Sequence, residues 1–291
     1  MPLTVHPLAN DAGFGVEIIG ADLGHDKSDE VFGAIEDALH EHLVVVVRDQ
    51  KLSPEQHIAF SRRFGVLADH VLSPYALPGH PEIYVVSNII ENGKPIGVAD
   101  AGPKWHSDFC YRARPSRCSL LYALEVPVVD GEPRGDTHFS NTIAAYEALP
   151  EGTRKRIDSL KAVYGLMHSY EQRIKGGANL LPLTEEQKAK APDVVHPVVR
   201  THPYSGRRGI FACELNTSHV VGVSADESKA ILDELYAQVA HPKFTYRHKW
   251  RTGDLLIWDN VATQHRANSK DYELPHRRRM HRTTVRGHAV F

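Results

Sequence analysis

The 291-residue chain sets 34 Lys and Arg against 36 Asp and Glu, and a formal net charge of -2 excludes a global basic field that would recruit nucleic acid. Hydrophobic residues at 42 % and charged residues at 24 % are ordinary globular proportions, enough over this length for one large domain or two small ones. The longest aliphatic run, LVVVV at 43–47, is far short of the roughly 20 residues that span a bilayer, so no membrane partner is expected.

The first residues, MPLTVHPLAND, show no basic segment, apolar segment or cleavage site of a signal peptide. FGVEIIGADL (14–23) reads as a strand, and a helix follows around SDEVFGAIEDALHEHL, where Val31, Ile35, Leu39 and Leu43 recur every four residues. VVVVRDQ is then a buried strand. SPEQHIAFSRRFG opens with a serine N-cap and a proline at the first helical position and closes on Gly65, which marks a second helix. EIYVVSN is another strand. From about 115 onward short strands are expected at SLLYALEVP, DTHFSN, AVYGLMH, VVHPVVRTHP, GIFACE, FTYRHKW, DLLIWDN and RRMHRTTVRG, interrupted by helices at TIAAYEALP and DESKAILDELYAQVA. Many short strands with Gly and Pro turns suggest a sandwich or barrel with helices packed outside. The stretch 173–195 is polar and weakly periodic, and reads as an excursion loop that serves either as an active-site lid or as a surface insertion. The three cysteines, Cys110, Cys118 and Cys213, form no Cys-x-x-Cys arrangement, and a reducing cytoplasm is expected.

KWHSDF (104–109) puts His106 and Asp108 two residues apart. On an extended strand they would share a face, and the pair could hold a metal, act as a proton-transfer dyad or be a hydrogen-bonded pair at a strand end. GDLLIWDNVATQHRA adds His265 from a distant segment. His106, Asp108 and His265 together make a 2-His-1-carboxylate set, which leaves three positions open on Fe(II) for a bidentate cosubstrate and O2. A structural zinc site would need four closed ligands, and no cysteine is suitably placed. In PHRRRMHRTTVRG, a regular strand would put Arg278, Met280, Arg282 and Thr284 on one face and Arg277, Arg279 and His281 on the other. Inward arginines are costly without anions, so Arg278 and Arg282 suit two acidic groups near the metal, while Arg277 and Arg279 suit a solvated edge.

These segments, in this order and over nearly the whole chain, resemble the Fe(II)- and 2-oxoglutarate-dependent dioxygenases of the taurine dioxygenase and 2,4-dichlorophenoxyacetate dioxygenase group. The resemblance runs from GVEIIGADL through VVVRDQKLSPEQHIAFSRRFG, WHSDFCY, GDTHFSNTIAAYEALP and HPVVRTHPYSGRRGIF to FTYRHKWRTGDLLIWDNVATQHRA and RRRMHRTTVRG. It implies a single dioxygenase domain over 1–291, mainly β with flanking helices around a double-stranded β-helix (jelly-roll) core. It implies His106, Asp108 and His265 as iron ligands, and Thr137 and Arg278 on the distal carboxylate of 2-oxoglutarate. Arg282, His70 and Phe109 would meet a small anionic substrate: a sulfonate, aryloxy acid, sulfate ester or other carboxylate. Fe(II) is then the cofactor, 2-oxoglutarate and O2 the cosubstrates, succinate and CO2 the co-products, and a homo-oligomer, dimer or tetramer, is expected.

The chain departs from the family pattern in DGEPRGDT, where Arg134 replaces the first glycine of Gly-Gly-Asp-Thr. It also displaces an aromatic to Tyr75 and carries Asn216 where taurine dioxygenase has a pocket aromatic. Taurine is therefore not simply to be copied as substrate. His138, His168, His202, His219 and His248 read as structural or pocket-lining, and Trp105 and Trp258 as core. A metal-dependent hydrolase on a similar barrel leaves Thr137, Arg278 and Arg282 unexplained. A non-catalytic binding protein would be expected to have lost a ligand.

Overall fold

The computed structural model describes residues 3–68, 75–99, 102–175 and 183–290. Alternation of apolar side chains along its strands explains its layers. The largest sheet runs, in spatial order, Thr4–Pro7, Val16–Ile19, Val44–Val47, Leu255–Asp259, Ser116–Glu125, Arg279–Arg286, His80–Ser87 and Ala76–Leu77. Its neighbours pair antiparallel, except Val16–Ile19 beside Val44–Val47, which is parallel.

One face of that sheet presents Val45, Val47, Leu120, Tyr122, Leu255 and Ile257 to Ile35 and Leu39 of helix Asp29–His42 and to Ile58 and Phe60 of helix Pro54–Arg62. Both helices begin where the sequence signals them: Ser28 and Ser53 cap them, and Ser53 with Gln56 completes a capping box. The opposite face presents Val44, Val46, Leu121, Ala123, Leu256, Trp258 and Met280 to Phe139 and Tyr246. Those two belong to a small antiparallel sheet, Thr245–His248, Thr137–Asn141 and Thr263–Ala267, with Thr137–Asn141 in the middle. A third core forms where helix Ala225–Val239 covers Lys161–Tyr164 and its flanking strands. The fold is thus mostly strand with flanking helices, and no helix among the described residues is long and apolar enough to cross a membrane.

Several elements differ from the sequence reading. The strand expected over 162–168 stops at Tyr164, and helix Leu166–Lys175 follows. Gly165 turns the chain against Asp193, whose Oδ1 would lie 2.3 Å from a Cβ at that position. VVHPVVRTHP divides into Val194–Pro197 and Val199–Thr201, which pair with different partners. A second helix, Glu151–Ile157, follows the expected one at 142–147. The supposed loop 173–195 begins inside helix Leu166–Lys175 and holds a short helix, Glu185–Ala189. Thr184 and Gln187 form its capping box, which the run TEEQ encodes. Residues 176–182 of that stretch lie outside the described residues.

The strand Arg279–Arg286 is flanked on both sides and buries both faces, which the pleat sorts by chemistry. Met280 and Arg282 look toward the small sheet, while His281 and Thr283 look toward helix Pro54–Arg62, where Thr283 meets Ser61 and His57. Burial pushes His57 down to about 3, with His281 adding to the fall, and His281 down to about 4, with Arg279 and His80 adding. Both stay neutral in the folded chain at pH values where an unfolded histidine, near 6.5, takes a proton. Stability is therefore full above pH 6.5 and is lost as pH falls toward those lowered values, by about 2 kcal/mol per histidine between pH 6.5 and 5. Urea midpoints measured across that interval should fall steeply in the wild-type protein and clearly less in His57→Gln; parallel curves would refute this account.

Candidate metal centre and its anion-binding side chains

The site lies where the small sheet meets the inner face of the large one. His265 sits in strand Thr263–Ala267, whose register sets Phe139 opposite His265 and Thr137 opposite Ala267. Opposed residues share a face, and so do residues two apart along a strand, so the Thr137 hydroxyl looks out beside the His265 imidazole. His106 joins this sheet by one bridge: its N–H donates to the His265 carbonyl at 3.0 Å, and the His265 N–H donates back at 2.8 Å. The strand expected through His-x-Asp is absent. Ser107–Cys110 turns instead, and Phe109 takes φ 55°, so Asp108 reaches the histidines by a turn and not by the pleat.

His106, Asp108 and His265, all buried, offer donor atoms within 4.8 Å of one another, and no other His, Cys, Asp or Glu joins the cluster among the described residues. The His106 Nδ1 lies 2.8 Å from the Lys104 carbonyl, which can only accept, so Nδ1 carries the proton and Nε2 keeps its lone pair. That Nε2 lies 4.0 Å from Asp108 Oδ1. Burial lowers both imidazoles below the ordinary histidine value, and the neighbouring ring of His106 deepens the fall at His265. For Asp108 burial opposes ionisation, but Arg282, the two histidines and the Ser119 hydroxyl outweigh it, and the carboxyl is held below its ordinary range. Neutral imidazoles, an ionised carboxylate and a buried His265 Nδ1 without a hydrogen-bond partner fit a divalent cation.

Two arginines approach from the Arg279–Arg286 side. Arg278 stands one residue before that strand, so the pleat does not set its direction. Asn88 accepts its backbone N–H at 2.8 Å, and Ser87 donates to its carbonyl at 2.7 Å. Its buried guanidinium lies against Gly135, where a Cβ would come within 3.0 Å of Nε. Burial lowers its pKa, Tyr272 is the main counterweight, and Nε has no hydrogen-bond partner. Thr137, two residues after Gly135, accepts from Trp250 Nε1 at 3.1 Å, which leaves its own O–H proton to donate elsewhere. Arg134 in the altered loop keeps a negative φ, while Gly135 has φ 78°, so the missing first glycine imposes no strain.

Arg282 is on the inner face as expected, but it is not aimed at empty space. Its NH1 donates to Asp108 Oδ1 at 3.0 Å, and its guanidinium carbon lies 5.2 Å from the Tyr84 ring centre. A half-buried cation takes the nearest carboxylate, and here that is the prospective ligand itself. Phe109 is buried beside Tyr111 and under the Arg112 guanidinium, and His70 lies outside the described residues. Of the other residues weighed, Asn216 is buried against Gly165, Trp105 and Trp258 are core, and Arg277 is an exposed partner of Glu125. His202 and His248 are tied to Asp259 and Asp254.

Tyr84 and Gly102 are among the supporting residues that the sequence does not mark. Tyr84 lies directly opposite Arg282 in the strand register, a pairing invisible until the strands are aligned. Gly102, at φ 77°, lets the chain pass over His106: a Cβ there would sit 2.2 Å from the ring's Cε1. A glycine four residues before the first histidine is too common a pattern to mark this. Gly102→Ala should therefore displace the His106 ring and weaken Co(II) binding at least tenfold while the far-ultraviolet circular dichroism stays native; undiminished binding would refute the close packing.

The chain is similar to known proteins over nearly its whole length. A family model described as taurine catabolism dioxygenase TauD, TfdA family matches residues 4–284. The chain is 35 % identical over 281 residues to pentalenolactone F synthase of Streptomyces arenae, covering 94 % of this chain and 92 % of that one. It is 33 % identical over 301 residues to an alpha-ketoglutarate-dependent 2,4-dichlorophenoxyacetate dioxygenase of Cupriavidus pinatubonensis, covering both chains fully at 100 %. Among solved structures, a taurine dioxygenase from Burkholderia xenovorans superposes with a TM-score of 0.79 at 31 % identity, over 99 % of this chain and 92 % of that one.

Proposed function

Since the chain belongs to the TauD, TfdA dioxygenase family, we propose that it hydroxylates a C–H bond of a small anionic substrate at an iron centre held by His106, Asp108 and His265. The observation that carries this reading is the three-donor cluster with no fourth His, Cys, Asp or Glu among the described residues, which leaves coordination positions for a chelating cosubstrate and O2. Bound there, iron with 2-oxoglutarate supplies the oxidising chemistry, in which the keto acid is decarboxylated to succinate and CO2 as O2 is consumed. A hydrolase would have no use for the buried Arg278 with its unpartnered Nε.

The protein's own part is binding and orientation. Arg278, with an unpartnered Nε, and Thr137, with a hydroxyl proton free of Trp250, would hold the distal carboxylate of 2-oxoglutarate. Arg282, beside Tyr84, would exchange its contact with Asp108 for the acidic group of the substrate, a sulfonate, sulfate ester, aryloxy acid or other carboxylate. His70 and the Phe109 backbone would border the same substrate. The Tyr84 ring lies against the Arg282 guanidinium. We read the chain as a single domain with a double-stranded β-helix core, working in the cytoplasm as a homo-oligomer, with 173–195 as its lid or insertion.

The direct test is anaerobic titration with Fe(II) and 2-oxoglutarate, in which a visible charge-transfer band should appear, followed by succinate measurement against a panel of small acids. Absence of the band would overturn the reading. Arg278→Ala should raise the 2-oxoglutarate requirement about ten- to a hundredfold, as loss of a charge-assisted bond of roughly 1.5–3 kcal/mol implies, and Thr137→Ala should raise it less. An unchanged requirement in Arg278→Ala would place the carboxylate elsewhere. Turnover of an anionic substrate should exceed that of its neutral amide, and Arg282→Lys should impair substrate oxidation more than 2-oxoglutarate binding; equal turnover of the amide would remove Arg282 from that role.

A further inference from the structure

Asn260 follows strand Leu255–Asp259, outside the three-donor cluster, yet its Oδ1 and its carbonyl are committed to the loop that carries Asp108. The orientation of its amide is settled by its neighbours. The indole N–H of Trp258 at 3.0 Å and the backbone N–H of Asp108 at 3.1 Å both converge on Oδ1, so Oδ1 is the acceptor end and Nδ2 the donor end. Nδ2 donates to Ser119 Oγ at 2.9 Å. With that lone pair taken, the single Ser119 proton goes to Asp108 Oδ2 at 2.6 Å. The Asn260 carbonyl also accepts from Ser107 Oγ at 2.6 Å, and its N–H donates to the Arg117 carbonyl at 2.9 Å. Ser119 and Asn260 are both fully buried, so water does not substitute for either bond.

We infer that Asn260, acting through Ser119, is a positioning residue that holds Asp108 Oδ2 away from the two imidazoles so that Oδ1 alone is presented as a ligand. A carboxylate swings about its Cβ–Cγ bond, and an unrestrained one spends time with Oδ1 turned away from the two imidazoles, which weakens binding, or turned so that both oxygens meet the cation. The latter would close a position which a chelating cosubstrate needs. The Ser119 hydroxyl prevents the swing by engaging one oxygen, Asn260 fixes the direction of that hydroxyl, and the Asn260 Oδ1 bond to the Asp108 N–H fixes the backbone from which the carboxylate projects. Arg282 on Oδ1 is the other donor and comes from a different strand, so it cannot replace the relay.

The inference rests on the reading that His106, Asp108 and His265 bind a divalent ion, and the test separates the two. Co(II) is titrated into metal-free wild-type, Ser119→Ala, Asn260→Asp and the double variant, by absorbance and by the Co(II)-dependent shift in melting temperature. Ser119→Ala removes one oxygen. Asn260→Asp keeps the acceptor for Trp258 and Asp108 but becomes a second acceptor for the Ser119 proton, which draws it from Asp108. Each variant should bind Co(II) about ten- to a hundredfold more weakly with an altered visible spectrum, the span expected for residues that orient a metal ligand. Because Asn260 acts through Ser119, the double variant should lose no more than the worse single one. Wild-type affinity in the single variants, or penalties that multiply in the double, would overturn the relay. Failure of wild-type protein to bind Co(II) would overturn the metal reading beneath it. If Asn260→Asp does not fold, Ser119→Ala decides alone, and unchanged affinity there refutes the inference.

Discussion

The reciprocal main-chain bond between His106 and His265 is the constraint on which the candidate site depends. It is a single rung of antiparallel pairing, formed where an otherwise irregular segment touches the edge of the small sheet. That rung delivers the first imidazole beside the second, their ring centres 4.2 Å apart. Gly102 then lets the chain fold back over His106, and the turn after Ser107 brings Asp108 in from the side. A regular strand through His106 and Asp108 would have extended the sheet; one rung followed by a turn closes three donors around a point.

Around that point the two sheets divide the chemistry. The small sheet contributes His265 and Thr137 from neighbouring strands, with Trp250 of the loop after Thr245–His248 behind the threonine. The large sheet contributes Ser119 and Arg282 from adjacent strands, one to each oxygen of Asp108. Neither sheet carries the arrangement alone, so the packing of Phe139, Trp258 and Met280 between them is what holds the donors in register. The alternation that turns Arg282 inward also turns His281 and Thr283 outward against the helix, where a second set of polar groups is buried at some cost in acid stability.

Burial acts on each charged group differently. It lowers the two imidazoles and keeps them neutral, the form that can coordinate a cation. At Asp108 its opposition is overcome by Arg282 and the histidines. At Arg278 burial is only partly answered by Tyr272, which leaves a buried cation with an unpartnered Nε packed against Gly135, two residues before Thr137. A cation so placed gains most from an anion that arrives from outside.

The sequence by itself determined the two leading helices and most strands, and it marked His106, Asp108 and His265 as candidate ligands and Arg278 and Arg282 as candidate anion binders. Local chemistry announces these features: a serine before a proline, alternating apolar runs, two histidines and an aspartate in a chain with no cysteine framework. The resemblance to the dioxygenase family added Thr137, which no local rule would single out. Tertiary structure alone decided that His106 and Asp108 meet through a turn, that Arg278 is aimed by Asn88 and Ser87 and not by the pleat, and that Arg282 rests on Asp108. It alone revealed Tyr84, Gly102, Ser119 and Asn260 as neighbours of the site. Each depends on strand register or on close approach between segments far apart in the chain, and period-2 and period-3.6 patterns report which face a residue occupies but not which strand lies beside it.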